Sequence, residues 1–271
     1  MSERIAFIGG GNMASAIIGG LIKQGRPASS FEVVEPFAEA RQALKDKFGI
    51  VAHEQAGAFL QGVTLAVWAT KPQTFKEATG PVRAHVAGAL HLSVAAGIPS
   101  SSIARWLGSE RIVRSMPNTP ALIGLGMTGL YARGGVTAQD RALIESVTAT
   151  MGESLWVERE EQLDAVTALS GSGPAYVFYF LEAMTQAGTE MGLPAEQAYK
   201  LAVETFRGAS ALAKASSEPP EVLRQRVTSK GGTTHAALTS MEESQMKALF
   251  GKALHAAERR ARELGIEFGK D

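Results

Sequence analysis

From residue 4 the apolar positions of the chain fall into two alternating patterns. Ile5-Ala6-Phe7-Ile8 is a short unbroken apolar run, followed by Met13, Ile17, Ile18, Leu21 and Ile22 at helical spacing up to Gly25-Arg26-Pro27. The alternation continues. Phe31–Glu35 predicts a second strand. Phe37–Phe48 predicts a helix closed by Gly49, and Val63–Ala69 has the near-continuous apolar character of a strand buried on both faces. Leu90–Val94, Ile112–Ser115 and Met127–Tyr131 add strands, Thr137–Met151 an amphipathic helix, and Ser154–Val157 a last short strand. Strands alternating with helices predict an α/β domain, a parallel doubly wound sheet over residues 1–160. Beyond residue 160 the strand signal stops. Pro174–Met191, Ala195–Ala215, a short helix to Arg226 and Thr233–Leu264 (with a break near Ser240) predict an all-α second domain over 161–271, with Ser216–Pro220 as a linker. Tyr176–Phe180 is apolar all round, which predicts complete burial. In so small a domain a second subunit is the expected cover.

Composition narrows the chemistry. The chain has 271 residues, 45% hydrophobic and 20% charged, with 27 basic and 27 acidic residues and no cysteine. A formal net charge of zero offers no field for nucleic acid or anionic lipid. Thiolate catalysis and disulfides are excluded, and the five histidines lie at no metal-ligand spacing, so no bound metal is expected. No apolar run reaches membrane-spanning length. Met1-Ser2-Glu3 leads directly into the first strand, and a cytoplasmic protein is expected.

The candidate chemistry begins at the first strand's end. Ile8-Gly9-Gly10-Gly11-Asn12-Met13-Ala14 is a G-x-G-x-x-A turn opening a helix. Gly9 permits the tight turn, Gly11 lets a pyrophosphate approach the backbone, and Ala14 lets the helix pack on the strand. Glu35, ending the second strand, is placed to accept from an adenosine ribose 2′-hydroxyl and to repel a 2′-phosphate; Arg41, six residues on, would offset that repulsion. Ala69-Thr70-Lys71-Pro72 and Ala95-Ala96-Gly97 follow two further strands, at the edge where such sheets bind ligands. Met116-Pro117-Asn118 is a rigid turn presenting one amide. Ser229-Lys230-Gly231-Gly232-Thr233-Thr234 precedes the last helix. Its two glycines suit an anion nest for a small carboxylate, but Thr233 or Thr234 acting as helix cap explains the same residues without a ligand. Ser170-Gly171-Ser172-Gly173-Pro174 reads as a serine cap with Pro174 in the first helical turn.

Together Phe7–Ala16, Ala69–Gln73, Ser93–Ile98, Met116–Gly126, Ala165–Tyr176 and Leu223–Leu238 resemble the pyrroline-5-carboxylate reductases, over nearly the whole chain and in the family's order. The resemblance implies a Rossmann-type domain and a helical domain that dimerises by interleaving helices, commonly within a decamer. It implies reduction of 1-pyrroline-5-carboxylate to L-proline by NADPH or NADH, the last step of proline biosynthesis. It assigns Ile8, Gly9, Gly11, Asn12, Met13, Ala14, Ala69, Thr70, Lys71, Pro72, Ala95, Ala96 and Gly97 to the cofactor. Ser229, Gly231, Gly232, Thr233 and Glu160 fall to the substrate, and Thr234 to the imine nitrogen; the Asn118 amide, read from its own turn at a strand end, is expected to face the substrate as well. The chain departs from the family in Lys230 (usually proline), Thr70 (usually valine) and Ala56 (often an asparagine near the adenosine). The last change, with Glu35, leans towards NADH. A β-hydroxyacid dehydrogenase would need a lysine base on the long helix, and residues 174–191 contain none. A non-catalytic cofactor-binding module would use the Gly/Ser/Thr clusters as helix caps only.

Overall fold

The computed structural model describes residues 3–270; Met1 and Ser2, which open the lead-in to the first strand, lie outside them. The chain forms two compact units, residues 1–172 with 257–271, and residues 173–256.

The first unit is a seven-stranded sheet with helices on its faces. In chain order it holds β1 (Ile5–Ile8), α1 (Asn12–Lys23), β2 (Phe31–Val34), α2 (Ala38–Phe48), β3 (Leu65–Trp68), α3 (Pro72–Val82), β4 (Leu90–Ser93) and α4 (Ser100–Leu107). These are followed by β5 (Ile112–Met116), β6 (Gly126–Ala132), α5 (Ala138–Thr148), β7 (Gly152–Trp156) and α6 (Gln162–Val166). The strand order is β2-β1-β3-β4-β5-β6-β7. Both faces of the sheet are covered, which is why β1 and β3 are apolar at every position. Ile5 and Phe7 enter one core cluster with Ile17, Ile18 and Ile144, while Ala6 and Ile8 enter another with Phe75, Val82 and Ile103.

The sheet is not wholly parallel. β6 runs antiparallel to β5, and β7 parallel to β6. Only a single 3₁₀ segment, Thr119–Ile123, joins β5 to β6. A link that short cannot carry a chain back to the starting end of the sheet, so the next strand must return antiparallel. After β6 the capped helix α5 supplies a full crossover and restores the parallel relation: Thr137 accepts from the Asp140 amide, and Asp140 accepts in return from that of Thr137.

One buried ionisable group gives the first unit a pH dependence. His91 on β4 is 1% exposed. Burial, and secondarily the charge of Arg111, lowers its pKa from 6.5 to about 4. The Trp68 indole N–H donates to His91 Nδ1 at 3.2 Å, which places the neutral ring's proton on Nε2. Because the folded pKa lies below the unfolded one, the unfolded chain binds the extra proton first. Stability is therefore fully present above pH 6.5 and falls as pH drops towards 4, by about 3 kcal/mol for this group. Urea unfolding across that range should show a shallower pH slope in His91→Gln, which keeps an acceptor for Trp68 but does not titrate.

The second unit is helical: α7 (Gly173–Glu190), α8 (Ala195–Ala215), α9 (Pro220–Arg226), α10 (Thr233–Glu243) and the first part of α11 (Met246–Phe268). α7 and α8 pack so closely that a Cβ on Gly188 would lie 2.8 Å from that of Ala198. The long final helix of the sequence pattern is interrupted at Ser244-Gln245, where Gln245 takes a φ of 52°. The expected burial of Tyr176–Phe180 is not met within one chain. Phe178 is 57% and Tyr179 70% exposed, and in α8 Leu201 is 58% exposed. Among the described residues of α7 only Leu181 and Gly188 are buried. An apolar helix face exposed to this degree marks an interaction surface.

Candidate active site

The glycine turn sits at the carboxyl end of β1 as the pattern predicts. Gly9 has a φ of 98°, and a Cβ there would lie 2.6 Å from the Ala69 carbonyl oxygen, so the turn and the Ala69-Thr70 segment are in direct backbone contact. Gly11 differs. Its backbone is extended, it is the residue before α1, no side chain caps that helix, and a Cβ on it would meet nothing within 4 Å. The start of α1 thus presents unpaired amides and a positive dipole end to open space, the arrangement that holds a pyrophosphate. Ala14 is fully buried against the sheet. Alongside lies a cavity of about 580 Å³ whose lining includes Ile8, Gly9, Val34, Pro36, Ala56 and Thr70. The turn, the open helix end and the cavity fit a dinucleotide.

Glu35 is buried at the end of β2, and its carboxylate turns back on the glycine turn. Oε2 accepts the Gly10 N–H at 2.7 Å and Oε1 the Phe37 N–H at 2.9 Å. Lys71 precedes α3, with Pro72 in its first turn, so the A-T-K-P stretch is a strand-to-helix turn at the same sheet edge. Ala95-Ala96-Gly97 follows β4, where Gly97 takes a φ of 77° and a Cβ on it would lie 3.2 Å from Leu264 Cβ. That contact lies within the first unit, to which the end of α11 belongs.

Asn118 and Glu160, the two sequence-predicted substrate residues of this unit, are both fully engaged. The Asn118 amide donates to the carbonyl and the hydroxyl of Ser170, each at 3.2 Å, and its oxygen accepts the Met127 N–H at 2.9 Å. It therefore ties the β5–β6 link to the π-helical turn Thr167–Gly171. Ser172 is itself helical there (φ −85°, ψ −16°), so the S-G-S-G-P stretch is a helical continuation and not the serine-capped start expected of it. The Glu160 carboxylate pairs with Arg114 at 2.6 Å and accepts from the Ser100 amide and hydroxyl at 2.6 and 2.5 Å. Burial pushes its pKa up, but the Arg114 charge and the Ser100 bonds outweigh it and hold the carboxylate below its ordinary value. Glu160 thus locks the start of α4, just after Gly97, to β5, just before Asn118. Sequence reasoning missed Arg114 and Ser100; an arginine inside the apolar run Ile112–Met116 was the available signal, since a buried cation needs a partner.

In the second unit Ser229–Thr234 forms the approach to α10. Gly231 has a φ of 75°, and Gly232 is the cap residue, with no side chain capping the helix. The Thr233 and Thr234 hydroxyls have no hydrogen-bond partner among the described residues. The capping explanation for these threonines therefore fails, and an uncapped helix start with spare hydroxyls remains, a setting suited to a carboxylate.

Comparison with known proteins gives a consistent picture. A family model described as pyrroline-5-carboxylate reductase dimerisation matches residues 160–264, and one described as NADP oxidoreductase, coenzyme F420-dependent, matches residues 4–97. A pyrroline-5-carboxylate reductase of Pseudomonas aeruginosa is 43% identical over 273 residues, 99% of each chain. The solved structure of a pyrroline-5-carboxylate reductase from Coxiella burnetii is similar with a TM-score of 0.91 and 37% identity, covering 97% of this chain and 99% of that one. The Plasmodium falciparum enzyme, solved with NADP bound, is similar with a TM-score of 0.86 and 26% identity, covering 97% and 98%.

Proposed function

The chain belongs to the pyrroline-5-carboxylate reductase family, and from that premise we propose how its residues divide the work. The reaction is the NAD(P)H-dependent reduction of 1-pyrroline-5-carboxylate to L-proline, which completes proline biosynthesis. The observation that carries the assignment of roles is the open, uncapped start of α1 at Gly11, beside the cavity under β1 and β2. The amides of Asn12, Met13 and Ala14 hold the pyrophosphate. Ala69-Thr70-Lys71-Pro72 and Ala95-Ala96-Gly97 flank the rest of the cofactor. When bound, the reduced nicotinamide supplies the hydride that saturates the ring C=N bond. Ser229, Gly231, Gly232 and Thr233 hold the substrate carboxylate on the α10 amides, and Lys230 adds a charge that attracts it. Thr234 hydrogen-bonds the imine nitrogen; a threonine hydroxyl is too weak an acid to protonate it unaided at neutral pH, so its first task is orientation. Asn118 and Glu160 act from behind, fixing the β5–β6 link and the start of α4 so that ring alignment is preserved.

The protein is an oligomer through its helical region, and we assign it a homodimer built on α7 and α8 that assembles further into a decamer. No helix among the described residues is long and apolar enough to cross a membrane, and the cytoplasm is the compartment we assign. Purified protein should oxidise NADH or NADPH only when 1-pyrroline-5-carboxylate is added, with proline formed in equal amount. Sedimentation at micromolar concentration should show no monomer. A stable, active monomer would overturn the interface assignment, and oxidation without proline formation would overturn the roles given to the loop at 229–234.

A further inference from the structure

In this fold the choice between NADH and NADPH is made at the carboxyl end of β2, where the adenosine 2′ position comes to lie. Three charged side chains meet there. Glu35 has each oxygen already accepting a backbone N–H. Arg41 lies against the strand end itself: its Nη1 donates to the Glu35 carbonyl at 2.9 Å and to the Pro36 carbonyl at 2.7 Å. Its Nη2 pairs with Glu54 Oε2 at 3.2 Å. Glu54, with Pro36 and Phe37, lines the cavity beside the glycine turn, and Glu77 lines it as well.

We propose that Glu54 sets the cofactor preference of this enzyme by occupying Arg41. An arginine at this place is the group that accepts the 2′-phosphate of NADPH, through its paired N–H groups. Here one arm of that fork is anchored to backbone carbonyls and the other is taken by a carboxylate. Glu35 and Glu54 together outnumber the single guanidinium at the end of β2. A dianionic 2′-phosphate entering that field is repelled and finds its cation already paired; a 2′-hydroxyl meets neither obstacle. The preference for NADH therefore comes from a pair whose carboxylate faces solvent, with Glu54 62% and Arg41 22% exposed at the side chain, and pairs in which one partner is exposed contribute little to folding. Glu54→Gln should fold normally and leave Arg41 anchored through Nη1, with Nη2 facing at most a neutral amide that a phosphate can displace.

The proposal rests on the reading that the first unit holds the dinucleotide. Its test is fluorescence titration of the apoprotein with NADH and with NADPH, in wild type, Glu54→Gln and Glu54→Gln/Arg41→Ala. Wild type should bind NADH more tightly. In Glu54→Gln the ratio of NADPH to NADH affinity should rise at least about fivefold, and the rise should shrink with added salt. Removing Arg41 from that background should abolish the gain. An unchanged ratio in Glu54→Gln, a gain that survives loss of Arg41, or a wild type that already prefers NADPH would each overturn the role of Glu54. A wild type that binds neither dinucleotide overturns the cofactor reading itself, and is a different result.

Discussion

Gly11→Val should fold as well as wild type and lose at least about a hundredfold in affinity for the reduced dinucleotide. The two halves of this expectation come from one geometric fact. The Gly11 backbone is at φ −72°, ψ −164°, an extended conformation open to a β-branched residue, and a Cβ there meets nothing within 4 Å. A valine side chain therefore enters empty space, and the apoprotein's melting temperature should move by no more than a surface substitution allows. That space is the approach to the first amides of α1. With it filled, the pyrophosphate forfeits its charge-assisted hydrogen bonds to the backbone, each worth roughly 1.5–3 kcal/mol, and two such losses already exceed a hundredfold. Gly9→Val is the contrasting control. At φ 98°, with the Ala69 carbonyl 2.6 Å from its would-be Cβ, that position cannot accept a side chain without moving β3's exit, and the variant should be destabilised outright. Thermal melting of both apoproteins and NADH titration of the folded one decide the matter; a folded Gly11→Val that binds as wild type removes the glycine turn from the cofactor site.

Thr234→Ala should lower kcat/KM for 1-pyrroline-5-carboxylate about ten- to a hundredfold while leaving the dissociation constant of the cofactor near its wild-type value. Gly232, not a threonine, occupies the cap position of α10, and no side chain caps the helix. The hydroxyl of Thr234 is thus not used by the fold, so its loss should not show in stability. A hydrogen bond to a polar group in the transition state is worth on the order of 1–3 kcal/mol, and this sets the range of the effect. Thr234→Ser keeps the hydroxyl and should keep most of the activity. A folded and fully active Thr234→Ala would mean that the hydroxyl takes no part in the reaction, and the substrate would have to be sought around Asn118 and Ser172.

The hydrophobic pattern by itself determined the element types, because a strand covered on both faces must be apolar throughout and a surface helix must not be. All seven strands lie where the apolar runs are, and the glycine turn is legible because φ 98° and the close Ala69 carbonyl at Gly9 admit few other residues. α3 and α4 were not read from the pattern: Pro81 lies inside one, and the other is only 8 residues long. The antiparallel turn of β6 was implicit in the missing crossover after β5, since strand direction depends on link length and not on the strand's own residues.

What only the tertiary structure decided was what each polar side chain touches. Asn118, Glu160, Glu35 and Arg41 all stand at positions where a sequence suggests a ligand, yet each is engaged by groups from 2 to 60 residues away in the chain. The hydroxyls of Thr233 and Thr234, which look like helix caps in sequence, find no partner among the described residues. A short-range pattern carries burial and periodicity, because these are set by neighbours within a turn or two. The pairing of a carboxylate with a distant amide or guanidinium is set by where the sheet brings separate strand ends together, and no local signal encodes it.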